Sequence, residues 1–168
     1  WSGYVQVKDG ELFVSRYGAG EPILVLHGGP GLSHDYLLPH MLELARDYEL
    51  IFYDQRGSER SLKTPIDEEH ISMEMFADDI EAIKGALGLK RLILIGHSWG
   101  GVLGMYYATR HPGDLSNLVL ITPGPAEYTQ YQAFLNKFME VAQPIMDQIA
   151  SLFNYEEFKK LNREQINA

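Results

Sequence analysis

The chain has 168 residues, of which 45% are hydrophobic; its formal net charge is −9 and it has no cysteine. That length allows one globular domain with a core of its own, and no apolar stretch is long enough to span a membrane. The acidic balance excludes a nucleic-acid partner, which would need a basic patch to neutralise phosphates, and the missing cysteines exclude disulfides, a thiolate nucleophile and thiolate-held zinc.

Chemistry must therefore come from hydroxyl, imidazole or carboxylate groups. No metal, cofactor or membrane is expected. The expected compartment is the cytoplasm, although the missing cysteines say little about it.

In chain order, residues 4–8 and 12–17 are short runs rich in Val, Tyr and Phe, separated by Asp9-Gly10, a hairpin-turn dipeptide. Ile23, Leu24, Val25 and Leu26 then form an apolar run of strand length that ends in a glycine-rich loop, as a strand buried on both faces does. Between residues 33 and 47, Leu37, Leu38, Met41, Leu42 and Ala45 fall at helical spacing, with Ser33 as the N-cap. Residues 50–53 read as the next strand. Phe76, Ile80, Ile83 and Leu87 mark one face of a helix closed by Gly88. Residues 92–95 are a further strand, residues 98–110 a helix, and residues 118–121 another apolar strand. This alternation predicts an α/β fold, a mostly parallel sheet with helices on both faces.

The character changes after Pro123-Gly124-Pro125. Phe134, Phe138, Val141, Ile145, Ile149 and Leu152 form a helical stripe, and Pro144 is expected to end one helix and start the next. Asn154, with Glu157 three residues on, reads as the cap of a third helix. The stripe reads as packing surface rather than a cofactor box. The expected division is residues 1–125 as a core and residues 126–168 as the start of a helical region, with the sequence stopping inside helix.

Gly96-His97-Ser98-Trp99-Gly100-Gly101 fits the G-x-S-x-G pattern between a strand and a helix. A serine there sits on a strained turn, where side chains two residues to either side would clash. The turn lifts the hydroxyl above the sheet edge near the positive end of the helix dipole. His27-Gly28-Gly29-Pro30-Gly31 follows an earlier strand, at the sheet end where open α/β folds bind ligands. The pair of motifs points to a serine nucleophile at Ser98 and an oxyanion hole built from the N–H groups of Gly29 and Trp99, one from each loop.

These two segments and Tyr53-Asp54-Gln55-Arg56-Gly57-Ser58, in this order, resemble the proline iminopeptidase family of α/β-hydrolases, over roughly residues 4–125. The resemblance implies a Ser-His-Asp hydrolase with a helical cap after the sixth strand. It also implies a small peptide or amide substrate with an N-terminal proline or another small residue. The chain departs from the family's more usual GGSWGS around the nucleophile, and it has Glu59 where the family has Gly, so related peptidases, amidases and esterases stay open. A non-catalytic binding protein of the same fold is the competing class.

Asp54 and Arg56 read as supports for the loop beside the site, and His27 and His97 as loop-packing residues. His34, His40, His70 and His111 have no motif around them. In this fold the triad runs Ser, then acid, then His, and His111, the only histidine after Ser98, lies a helix length away. No carboxylate follows Ile121 directly. Both remaining triad members, and most of the cap, are expected beyond Ala168 in a missing C-terminal half, which leaves the chain as given without useful activity. Oligomeric state is not legible.

Overall fold

In the computed structural model, which describes the backbone of residues 1–152 and the side chains of residues 1–148, the chain opens with the expected hairpin. β1 (Ser2–Val7) pairs antiparallel with β2 (Gly10–Tyr17), and Val7 faces Gly10, so the two turn residues are Lys8 and Asp9. Asp9 takes the left-handed φ of 64° that such tight turns require and that Asp tolerates better than most residues.

The remaining strands among the described residues are β3 (Glu21–Leu26), β4 (Tyr48–Tyr53), β5 (Leu92–His97) and β6 (Leu115–Ile121). The sheet order is β1-β2-β4-β3-β5-β6. β2 pairs antiparallel with β4, while β4, β3, β5 and β6 are mutually parallel neighbours. This is the α/β architecture expected, a mostly parallel sheet with helices.

The sheet is apolar on both sides because alternate residues of one strand serve different cores. Leu24 and Leu26 of β3, Ile51 and Tyr53 of β4, and Leu94 of β5 pack on one face with Phe76, Ile80, Ile83, Leu103 and Tyr107. Ile23, Val25, Leu50, Phe52 and Ile95 pack on the other with Leu37 and Met41. Full burial of one such Leu or Ile contributes about 1.5–3 kcal/mol.

The helix α2 (Met73–Ala86) supplies Phe76, Ile80 and Ile83 to the first core, at the spacing legible in the sequence. The Ser72 hydroxyl caps it by accepting the Met75 N–H at 3.2 Å. α3 (Trp99–Arg110) contributes Leu103 and Tyr107. β6 closes one edge of the sheet, and its apolar residues Val119, Leu120 and Ile121 are 46%, 39% and 39% exposed.

Two helical expectations are corrected. Residues 34–46 are not one helix: a 3₁₀ turn (His34–Leu37), the four-residue α1 (Leu38–Met41) and a second 3₁₀ turn (Leu42–Arg46) follow one another. Pro39 lacks the N–H that a continuous helix would need at that point, and of the five apolar residues only Leu37 and Met41 are buried. Ser33 does act as N-cap, accepting from the Asp35 N–H.

The second correction concerns Pro144. A compact unit begins at Glu127, and in it α4 (Tyr128–Leu152) runs through Pro144 without a break. Proline removes a single helical hydrogen bond, to the carbonyl four residues earlier, and that carbonyl belongs to Glu140 on an exposed stretch where water is available. The cap expected at Asn154 and Glu157 lies outside the described residues.

Candidate active site

Ser98 stands between the end of β5 and the start of α3, with φ 53° and ψ −116°, a region that a non-glycine residue occupies only when its surroundings hold it there. They do so from both sides. The Ser98 N–H donates to the Ile121 carbonyl of β6 at 3.0 Å, and the Ser98 carbonyl accepts from Gly101 and Gly124.

The flanking glycines have a steric cause. A Cβ on Gly96 would lie 2.7 Å from Gly101 Cα, and one on Gly100 2.7 Å from the His27 carbonyl oxygen. Both obstacles are backbone and cannot turn aside.

The glycine loop after β3 reaches the same place. A Cβ on Gly28 would lie 3.3 Å from Ser98 Cβ, 2.9 Å from the Tyr36 hydroxyl and 3.1 Å from His97 Nδ1, so the loop backbone passes directly against the serine. The Gly28 N–H is taken, donating to the Tyr36 oxygen at 2.7 Å. Gly29, at φ 132°, has an N–H with no acceptor among the described residues. Trp99 is the first residue of α3.

His27 is fully buried, and its bonds define its protonation. Nδ1 faces the Gly28 carbonyl at 2.7 Å and must donate, while Nε2 accepts the Gln55 N–H at 3.0 Å. Burial lowers its pKa against the pull of that carbonyl. A neutral imidazole with both nitrogens engaged has no lone pair left to act as a base. His97 offers its Nδ1 to Tyr36 at 2.6 Å.

Asp54 and Arg56, from the loop after β4, are both buried, and neither hydrogen-bonds to Ser98 among the described residues. Arg56 forks onto Asp79 of α2 at 2.7 and 2.5 Å and donates to the His70 carbonyl. Asp54 accepts from the His34 N–H and Nδ1–H and from Arg60 Nε at 2.6 Å. Burial alone would raise the Asp54 carboxyl, but the hydrogen bonds from His34 and Arg60 outweigh it and hold it well below the usual carboxylate range.

Two residues invisible to motif reading matter here. His34 is buried, stacks between Phe13 and Phe52, and joins Asp54 to the Ser15 hydroxyl at 3.0 Å. This is a serine, histidine and carboxylate in series, but Ser15 is closed off inside the sheet and no substrate can approach it. Arg60 completes the network, lying 4.4 Å over the Phe13 ring and pairing with Asp35. No local sequence signal marks either residue, since each partner lies on a different element.

His111 stacks on Tyr107 beyond the far end of α3, about 20 Å along the helix from Ser98. With Glu81 and Asp114 it forms a group spaced for a metal ion. Lys84 Nζ reaches both carboxylates there, Asp114 at 2.5 Å, so an ammonium already occupies the cationic position.

The chain is similar to known proteins. A family model of the alpha/beta hydrolase fold matches residues 21–163, and the chain belongs to that family. Among curated relatives it is 33% identical over 124 residues to the proline iminopeptidase of Heyndrickxia coagulans, covering 72% of this chain and 42% of that protein. It is 32% identical over 134 residues to mouse epoxide hydrolase 4, covering 76% of this chain and 36% of the other.

Among solved structures, a proline iminopeptidase-related protein from Thermus thermophilus matches with a TM-score of 0.70 and 32% identity, over 74% of this chain and 45% of that one. Within the family, the likeness to the proline iminopeptidases read from the sequence is thus borne out over part of the chain. The chain spans less than half the length of each of these relatives.

Proposed function

We propose that this chain carries the nucleophile and the oxyanion-binding loop of a serine hydrolase that releases N-terminal proline through an acyl-enzyme on Ser98. One observation carries the reading: Ser98 is held in a strained turn at the head of α3, with the backbone of Gly28 pressed against its Cβ. Attack by Ser98 Oγ on a substrate carbonyl would place the developing oxyanion where the Gly29 and Trp99 N–H groups could stabilise it. Each such donor is worth about 10²–10³ in rate.

Ser98 needs a base, and three of the described histidines are otherwise engaged or distant. His27 uses both nitrogens, His34 is locked to Asp54 and Ser15, and His111 is a helix length away. The acid and base are therefore proposed to come from outside residues 1–168, a reading supported by the chain spanning under half of its relatives. Asp54 and Arg56 act in this account as loop supports.

The epoxide hydrolase relatives cover a similar share of the chain, so overall similarity does not choose the substrate. The reading is tested on the natural protein with proline amides. Turnover of a substrate with a free N-terminus, rejection of the N-blocked analogue and loss of turnover in Ser98→Ala are expected. Equal turnover of both amides, or a preference for simple acyl esters, contradicts the aminopeptidase assignment.

A further inference from the structure

We propose that Gln55 is a positioning residue that sets the spacing between the two oxyanion donors, Gly29 and Trp99; this rests on the serine-hydrolase reading above. Gln55 belongs to neither motif. It lies in the loop after β4, is fully buried, and spans the gap between the two loops with one side chain. Its Nε2–H donates to the His27 carbonyl at 2.8 Å, and its Oε1 accepts the Trp99 indole Nε1–H at 3.0 Å. Its own backbone N–H donates to His27 Nε2 at 3.0 Å.

His27 stands two residues before Gly29, and Trp99 follows Ser98. The amide thus ties the base of the glycine loop to the residue whose N–H is the second donor. Phe76 meets the same indole edge to face, with ring centroids 5.7 Å apart, so the indole is held by a bond at its N–H and by packing on its ring.

The chemistry selects an amide at position 55. The site needs a donor toward a carbonyl and an acceptor toward an indole from one planar group, and the Gln55 amide supplies both. Glu would keep the acceptor but set a carboxylate against the His27 carbonyl, and Leu would supply neither. A buried polar group left unpaired is destabilising, so the brace is held in place by its own satisfaction. Slack of about 1 Å in such a constellation costs on the order of 10²-fold in rate.

The test uses the natural protein and a fluorophosphonate probe, which phosphonylates the serine oxygen: an O–P bond forms as the P–F bond breaks, fluoride leaves and the hydroxyl proton passes to the general base. Gln55→Glu removes the donor to His27, and Trp99→Phe removes the indole N–H while leaving the backbone donor and the Gln55–His27 bonds. Each is expected to lower the limiting inactivation rate about 10–100-fold, with the half-saturating probe concentration within about twofold of wild type.

Within residues 1–168 the tryptophans are Trp1 and Trp99, and the Trp99 indole N–H resonance of the natural protein is identified by its loss in Trp99→Phe. It should shift toward the free-indole position in Gln55→Leu, which removes the acceptor, and stay hydrogen-bonded in Gln55→Glu, which keeps it. Wild type left unlabelled at Ser98 would defeat the serine reading itself. Wild type labelled, with Trp99→Phe or Gln55→Glu labelled at the same limiting rate, overturns the Gln55 proposal alone, as does an effect confined to the half-saturating concentration.

Discussion

The Tyr36 hydroxyl lies 2.6 Å from His97 Nδ1 and at the same time accepts the Gly28 N–H at 2.7 Å. With its oxygen accepting the Gly28 N–H and hydrogen-bonded to His97, one phenol joins the glycine loop to the residue preceding Ser98. Tyr36→Phe should leave the Gly28 N–H to water and loosen the loop. The expected result is turnover down about tenfold with stability reduced by about 1–3 kcal/mol, the net worth of two hydrogen bonds. Parallel kinetics and urea denaturation check both figures.

The Asp54 carboxylate gives a pH signature. Its folded pKa lies below the unfolded value of about 3.9, so its contribution to stability is present above that value and lost as pH falls through the acid range. Asp54→Asn should therefore cost most above about pH 5, on the order of 3 kcal/mol, and the gap to wild type should narrow below pH 4. Denaturation midpoints for the two proteins between pH 3 and 7 measure it. A gap that widens toward acid would contradict the network described.

Glycine substitutions separate close approach from open space. Gly100→Ala should cost several kcal/mol or abolish folding, because its Cβ would meet the His27 carbonyl at 2.7 Å. Gly85, inside α2 with nothing within 4 Å of an added Cβ, behaves oppositely. Gly85→Ala should stabilise by about 0.5–1 kcal/mol through helix propensity, visible as a higher thermal midpoint.

Why some of this was legible in the sequence and some was not follows from distance along the chain. β3, β4 and β5 read correctly because strands buried on both faces are continuous apolar runs, and the turn at Ser98 reads because its glycines are adjacent to it. The segment after Ser33 misled because Leu42 and Ala45 keep helical spacing while Pro39 breaks the bonding. Pro144 misled the other way, since a solvent-facing helix tolerates one lost bond. The pairs His34 with Asp54 and Arg56 with Asp79, 20 and 23 residues apart, join separate elements and become visible only once the sheet and helices bring them together. The same holds for the Gln55 brace to Trp99, 44 residues away.

The central claim, that Ser98 is the nucleophile, is tested most directly by treating the natural protein with a fluorophosphonate probe and locating the adduct by peptide mass mapping. A single adduct on the peptide containing Ser98, absent in Ser98→Ala, is expected, while residues 1–168 expressed alone should label at least about 10⁴-fold more slowly for want of a base. An adduct on any other residue, or labelling that survives Ser98→Ala, would contradict it.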